Sequence, residues 1–273
     1  MTFRTGFRLQ AAATAMLLSL ALLTDPCPAQ VMDTGEGGGT AVTGSIGAGV
    51  VFAPEFAGSD EGKAAPAPML NLRYGPVFLS TDKGLGVRFD LLDGSLEISP
   101  AVNYRWRRDE GDSELLRGMG DIDGQMTGGA SVIYRIDDAS FGVKGFQGLG
   151  DDKGFTLDMR LAYLNRMNET FHWGLAAGAG FADSDYLQTH FGVNRIQSRR
   201  SGYSVFTPSA GLKDVSLGGS IDYYLTPSFS VDVFAKYTRL TGDAAESPLV
   251  LHGGSPDQMA TGLLLFYHFG KSE

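Results

Sequence analysis

The chain has 273 residues, a formal charge of −9 at pH 7, 38 glycines and one cysteine, and its mean hydropathy is near zero. So acidic a chain lacks the basic footprint that nucleic-acid binding needs, and after residue 29 no apolar run approaches the length of a spanning helix. Neither fact excludes a β-barrel, whose strands average to neutral because one face is polar.

Arg4 and Arg8 precede an apolar stretch from Leu9 to Leu23, and Pro26, Pro28 and Ala29 follow. This predicts a secretory signal peptide over residues 1–29, cleaved after Ala29. The stretch is shorter than the roughly 20 residues of a spanning helix. Cys27 suggests lipidation, but Thr24-Asp25-Pro26 before it is neither small nor apolar enough. Cleavage removes the only cysteine, so the mature chain needs no disulfide. It also takes away two arginines and Asp25, moving the charge from −9 to −10.

Residues 30–43, glycine-rich and acidic, predict a flexible periplasmic leader, and residues 44–273 the barrel. The first strand is expected from Gly44 to Phe52, with Ile46, Ala48, Val50 and Phe52 on one face. Ala53 to Pro68 reads as a loop because it holds three prolines and Gly58-Ser59-Asp60. Leu70, Leu72 and Tyr74 then alternate with Asn71 and Arg73, Gly75-Pro76 interrupts, and Val77 to Ser80 resumes. Leu85, Val87 and Phe89 alternate with Gly86, Arg88 and Asp90. Asp93-Gly94 predicts a two-residue hairpin.

The next stretch is the most regular in the chain. Leu96, Ile98, Val102, Tyr104 and Trp106 fall on one face, Glu97, Ser99, Ala101, Asn103, Arg105 and Arg107 on the other, and Pro100 is the one interruption. A period of two places these sets on opposite faces of a strand. A charged loop, Arg108 to Asp123, follows. Further alternating strands are expected from Met126 to Ile136, around Phe141 and Val143, from Phe155 to Tyr163 and from Phe171 to Phe181. Ala182 to Leu212 is the longest irregular stretch. Strands from Val215 to Leu225, Phe229 to Tyr237 and Leu263 to Phe269 complete the pattern, with a loop from Gly242 to Pro256.

The fold class is therefore all-β. Charged residues collect on one face (Arg73, Arg88, Asp90, Glu97, Arg105, Arg107, Arg135, Asp158, Arg160, Asp222, Asp232, Lys236), and aromatic residues end the other (Tyr74, Tyr104, Trp106, Tyr134, Tyr163, Trp173, Tyr223, Tyr237, Tyr267). In an apolar core each unpaired charge would cost several kcal/mol. Around a hydrated lumen, with the apolar face in lipid and aromatic girdles at both interfaces, it does not. The reading is an antiparallel transmembrane β-barrel of about 12 strands, within a range of 10 to 12. Splitting at Gly75-Pro76 gives twelve. Reading Leu70 to Ser80 as one strand gives eleven and needs another from Ser204 to Leu212.

Six stretches resemble the MltA-interacting protein (MipA)/OmpV family of outer-membrane proteins: Gly47 to Asp60, Pro68 to Phe89, Gly118 to Gly129, Ala182 to Val193, Ala210 to Leu225 and Leu240 to Val250. They fall in order along nearly the whole mature chain. The resemblance implies a Gram-negative outer-membrane barrel. For the family's best-known member it implies a scaffold joining a periplasmic lytic transglycosylase to a murein synthase. One departure is that Gly270 to Glu273 follow the terminal aromatic Phe269.

For chemistry, Asp183, Asp185 and His190 share one loop and could activate water, but Asp183-Ser184-Asp185 equally suits a helix cap. Asp121 and Asp123 lack calcium-loop spacing. His172 and His268 are expected to face the lumen, and His252 a loop. With no nucleophile elbow and no zinc spacing, the expectation is a non-enzyme without catalytic, cofactor-binding or metal residues. Its partners would be outer-membrane lipid and murein enzymes. A narrow channel for small solutes is the alternative.

Overall fold

In a computed structural model, residues 41–150 and 154–270 are described; the expected signal peptide and most of the leader lie outside them. Twelve antiparallel strands form one closed meander. They are β1 (Thr43–Pro54), β2 (Gly62–Tyr74), β3 (Val77–Ser80), β4 (Gly84–Val87 and Phe89–Leu91), β5 (Leu96–Arg105) and β6 (Gln125–Ile136). The second half comprises β7 (Ala139–Gly148), β8 (Phe155–Arg166), β9 (Phe171–Ala182), β10 (Gly211–Thr226), β11 (Phe229–Leu240) and β12 (Asp257–Phe269). Each pairs with its sequence neighbours, and β1 pairs with β12 from Gly44–Phe269 to Phe52–Thr261, closing the ring.

β4 is one strand in two pieces. Leu85 lies opposite Val102 and Phe89 opposite Ile98, so a single register runs through the break at Arg88. The cause is Pro100, which faces β4 and has no N–H to give its ladder.

The faces follow the alternation. Ile46, Val50, Tyr74, Leu85, Tyr134, Leu161, Leu217, Tyr223, Leu263 and Tyr267 are exposed on the outer wall, while Glu97, Ser99, Thr127, Ser131, Ser220, Asp222, Ser230 and Asp232 are buried inside. Residues that would be core in a soluble protein are the exposed ones here, as a lipid-facing wall requires.

Several expectations need correction. β2 begins at Gly62, so the first loop spans only 55–61, and Pro66 and Pro68 lie within a strand. The turn at Asp93-Gly94 is longer than two residues: Leu92, Asp93 and Gly94 are all left-handed, and Ser95 donates to the Leu92 carbonyl. Trp106 breaks the parity of β5, because the chain bends after Arg105 and the indole turns inward. Arg107 points out to solvent and pairs with Asp109 at 2.5 Å. The interior is not polar throughout: Val51, Ala53, Ala67, Phe234, Ala260, Leu264 and Phe266 form a buried cluster, with Met69 and Trp106 packed against it.

Candidate functional site: the lumen and its loop cap

The polar inner face is an ion-pair network on the wall from β2 to β7. Glu97 is its hub, receiving Arg135 at 2.7 Å, Lys83 at 3.0 Å and Arg88 at 3.4 Å, with the Ser99 hydroxyl donating at 2.8 Å. Arg88 also meets Asp90 at 2.7 Å, Arg73 meets Asp90 at 3.5 Å, and Lys144 meets Asp82 at 3.1 Å. The strand period puts the odd residues of β5 and the even residues of β7 inside, so opposite charges converge there. Lys83, Asp82 and Lys144 were not among the expected inner charges. Asp82 and Lys83 occupy a turn, where alternation says nothing about direction.

Towards the long-loop end, Lys213 lies 3.6 Å from Asp158 and also pairs with Asp214. A Cβ on Gly180, on the strand between them, would lie 2.6 Å from the Lys213 Nζ. Glycine there leaves room for the charges. At the short-turn end Asp222 and Asp232 stand opposite each other. The Ser230 hydroxyl donates to Asp232 at 2.9 Å, and His268 Nε2 is 2.9 Å from that hydroxyl. His172 and His268 both face the lumen, against the Tyr224 ring.

Above the barrel the long loops fold into a cap. Residues 184–201 form two short helices, α1 (Ser184–Phe191) and α2 (Arg195–Ser201), and residues 242–251 two more, α3 (Gly242–Ala245) and α4 (Pro248–Leu251). Leu187 and Phe191 of α1 pack with Ala244 and Val250, and with Ala182 and Leu240 from the strand ends. Phe56, Leu116, Met119, Val193 and Leu249, drawn from four different loops, make a second core. Side chains lock the loops together: Ser247 Oγ donates to the Phe191 carbonyl at 2.6 Å, and Gln197 Nε2 to the Met119 carbonyl at 2.7 Å. Arg108 is buried in this cap, with Nη1 donating to the His190 carbonyl at 2.9 Å. Burial pushes its guanidinium down to about 10, and burial pushes the Tyr186 phenol up.

The candidate water-activating trio takes its structural roles. Asp183 caps α1, its side chain accepting from the Tyr186 amide at 2.8 Å. Asp185 lies in the first turn, and His190 stacks near Tyr186 at 4.3 Å in the last. Asp121 accepts the Glu110 amide at 2.8 Å, as a turn residue does. His252 lies at the C-terminal end of α4, its Nδ1 3.1 Å from the Pro248 carbonyl. Among the described residues no cluster of three or more His, Cys, Asp or Glu has the arrangement to hold a metal ion.

The family model of the MltA-interacting protein MipA matches residues 46–269, and the chain belongs to that family. No curated protein matches it. Among solved structures it is similar to the NanC porin (TM-score 0.46, 10% identity, covering 84% of this chain and 100% of that one). The KdgM porin gives 0.43 and 9%, covering 83% and 100%. The outer membrane channel DcaP of Acinetobacter baumannii gives 0.41 and 10%, covering 84% and 96%.

Proposed function

We propose that this member of the MipA family is a non-enzymatic outer-membrane barrel that works as a scaffold, receiving murein-remodelling enzymes at its short-turn rim. The observation that carries the reading is the cap. Two apolar cores and several inter-loop hydrogen bonds roof the long-loop end, an investment that suits a closed interaction module better than an open pore. The opposite rim presents Asp93, Asp137, Asp138 and Glu169 on short exposed turns, a surface complementary to a basic partner. The family name, MltA-interacting protein, supports a murein transglycosylase as that partner.

The test is affinity capture from detergent-solubilised envelopes. The intact rim should recover a lytic transglycosylase and a murein synthase, and reversing charge at Asp93, Asp137 and Asp138 together should lose both. Equal recovery by the two forms would remove the rim from the proposal.

The second reading is a narrow channel, favoured by the ion pairs that line the lumen. Recovery of no murein enzyme, with steady ion conductance in planar bilayers, would establish it instead.

A further inference from the structure

The barrel wall has a notch in its loop-side half. β3 is only four residues long, and Thr81 is the last residue of its side to reach β2, donating to the Leu70 carbonyl at 2.9 Å and receiving the Leu70 amide on its hydroxyl at 2.8 Å. Above Leu70, no strand among the described residues lies beside the edge of β2 from Gly62 to Met69, a length of roughly 25 Å at the usual rise.

Both sides of the notch are chemically blunted. The β1–β2 register is unbroken, so the even residues of β2 point the same way as Leu70, into the gap. Two of them, Pro66 and Pro68, have no N–H. From Gly62 to Pro68 the edge therefore offers four carbonyls but only two donors, the Gly62 and Ala64 amides. On the facing side the Tyr104 amide is satisfied by its own neighbour, the Asn103 side chain, at 2.8 Å. Such an edge cannot be extended by a strand from a second copy, which would need a donor at every other residue.

Behind the gap lies the apolar cluster of the interior already described. Met69 from one side of the notch and Trp106 from the other both pack onto it, so these two side chains form the seal. Ala65 and Ala67, immediately inside the β2 edge, are small and buried.

We propose that the notch is a lateral portal binding the acyl chain of an outer-leaflet amphiphile, one whose hydroxyl or amide groups sit close to the head of the chain. The tail displaces Met69 and Trp106 and lies against Val51, Ala67, Leu264 and Phe266. The head-proximal donors meet the carbonyls of Ala64, Pro66 and Pro68, groups that are expensive to leave facing hydrocarbon. This proposal is independent of the scaffold reading, which concerns the opposite rim.

The chain has two tryptophans, so Trp173→Phe leaves Trp106 as the reporter. The full chain in detergent is titrated with N-(9,10-dibromostearoyl)ethanolamine. Saturable quenching to roughly half the emission is expected, as contact with an enclosed chain implies, and the unbrominated amide should reverse it. The methyl ester of dibromostearate, lacking the donor, should bind several-fold more weakly. Adding Ala67→Phe, which fills the pocket, should abolish saturation. Quenching that rises linearly with the probe's share of the micelle, without reversal by the unbrominated amide, would overturn the proposal. That criterion needs no pocket variant, so it survives if Ala67→Phe fails to fold.

Discussion

Replacing Glu97 with glutamine should be among the most damaging single changes inside the barrel. The carboxylate side chain is 3% exposed and meets three cations within 3.4 Å. Removing one member of a buried ion group leaves the others uncompensated, at about 3–5 kcal/mol. Lys83 and Arg135 retain 23% and 17% exposure, so lumen water screens part of the loss and the lower end applies, about 3 kcal/mol. In guanidinium unfolding from lipid vesicles, followed by tryptophan emission, a slope of about 4 kcal/mol/M converts this into a midpoint shift of roughly 0.7 M. Asp90→Asn is the control, because that carboxylate is 30% exposed and its loss should stay under about 1 kcal/mol. A Glu97→Gln shift no larger than the control's would refute the hub.

Other consequences test the cap, the seam and the acidic end of the lumen. Leu249→Ala removes a buried side chain from the second cap core and should weaken the cap by about 2–5 kcal/mol, read as faster hydrogen exchange over residues 184–201 with the strand amides unchanged. Gly49→Ala would place a Cβ 2.0 Å from the Leu263 carbonyl oxygen in the closing seam. Backbone cannot yield as a side-chain tip can, so the heat-modifiable gel band of the folded barrel should disappear. Asp222 and Asp232 are like charges in facing register, so Asp222→Asn should raise stability at pH 8 by about 0.5–1 kcal/mol; a loss would show that the pair is held by something else.

Much of the wall was legible because a period of two is a strong constraint when one face meets lipid. The outer positions of β5, β6, β8, β10 and β11 follow directly from it, and Asp137-Asp138, Asn168-Glu169 and Thr226-Pro227 mark the turns. The interior was less legible. Val51, Phe234, Leu264 and Phe266 fall on the inner face by parity, yet nothing local says that they meet, since Val51 comes from the first strand and the others from the last two, which only the closing β1–β12 pairing brings together. The cap helices were hidden for a related reason. α1 and α2 are single short helices whose stability comes from packing against residues 106–124 and 242–256, not from propensity. The cap of α1, Asp183, was visible, but a cap alone does not say how far a helix runs, and the cap of α2, Asn194, emerges only in the structure. Asp183 and His190 were weighed for chemistry on composition, and geometry gives them capping and stacking instead.

Within the barrel wall, the departures from local reading cluster. Pro66 and Pro68 made β2 look like a loop, Pro100 broke the ladder of β4, Trp106 violated parity, and Asn103 turned its side chain back onto the backbone. All five lie on or beside the stretch of wall from β2 to β5. Had β3 been long enough to complete that wall, each of the two β2 prolines would have left a β3 carbonyl without its donor. Short β3 and proline-bearing β2 are therefore compatible only with each other. Restoring donors alone, with Pro66→Thr and Pro68→Thr, should add exposed N–H groups to a free edge and promote pairing between copies. A rise in dimer by light scattering, absent from the parent chain, would show that the prolines keep the notch open; unchanged monomers would mean that the edge is already covered.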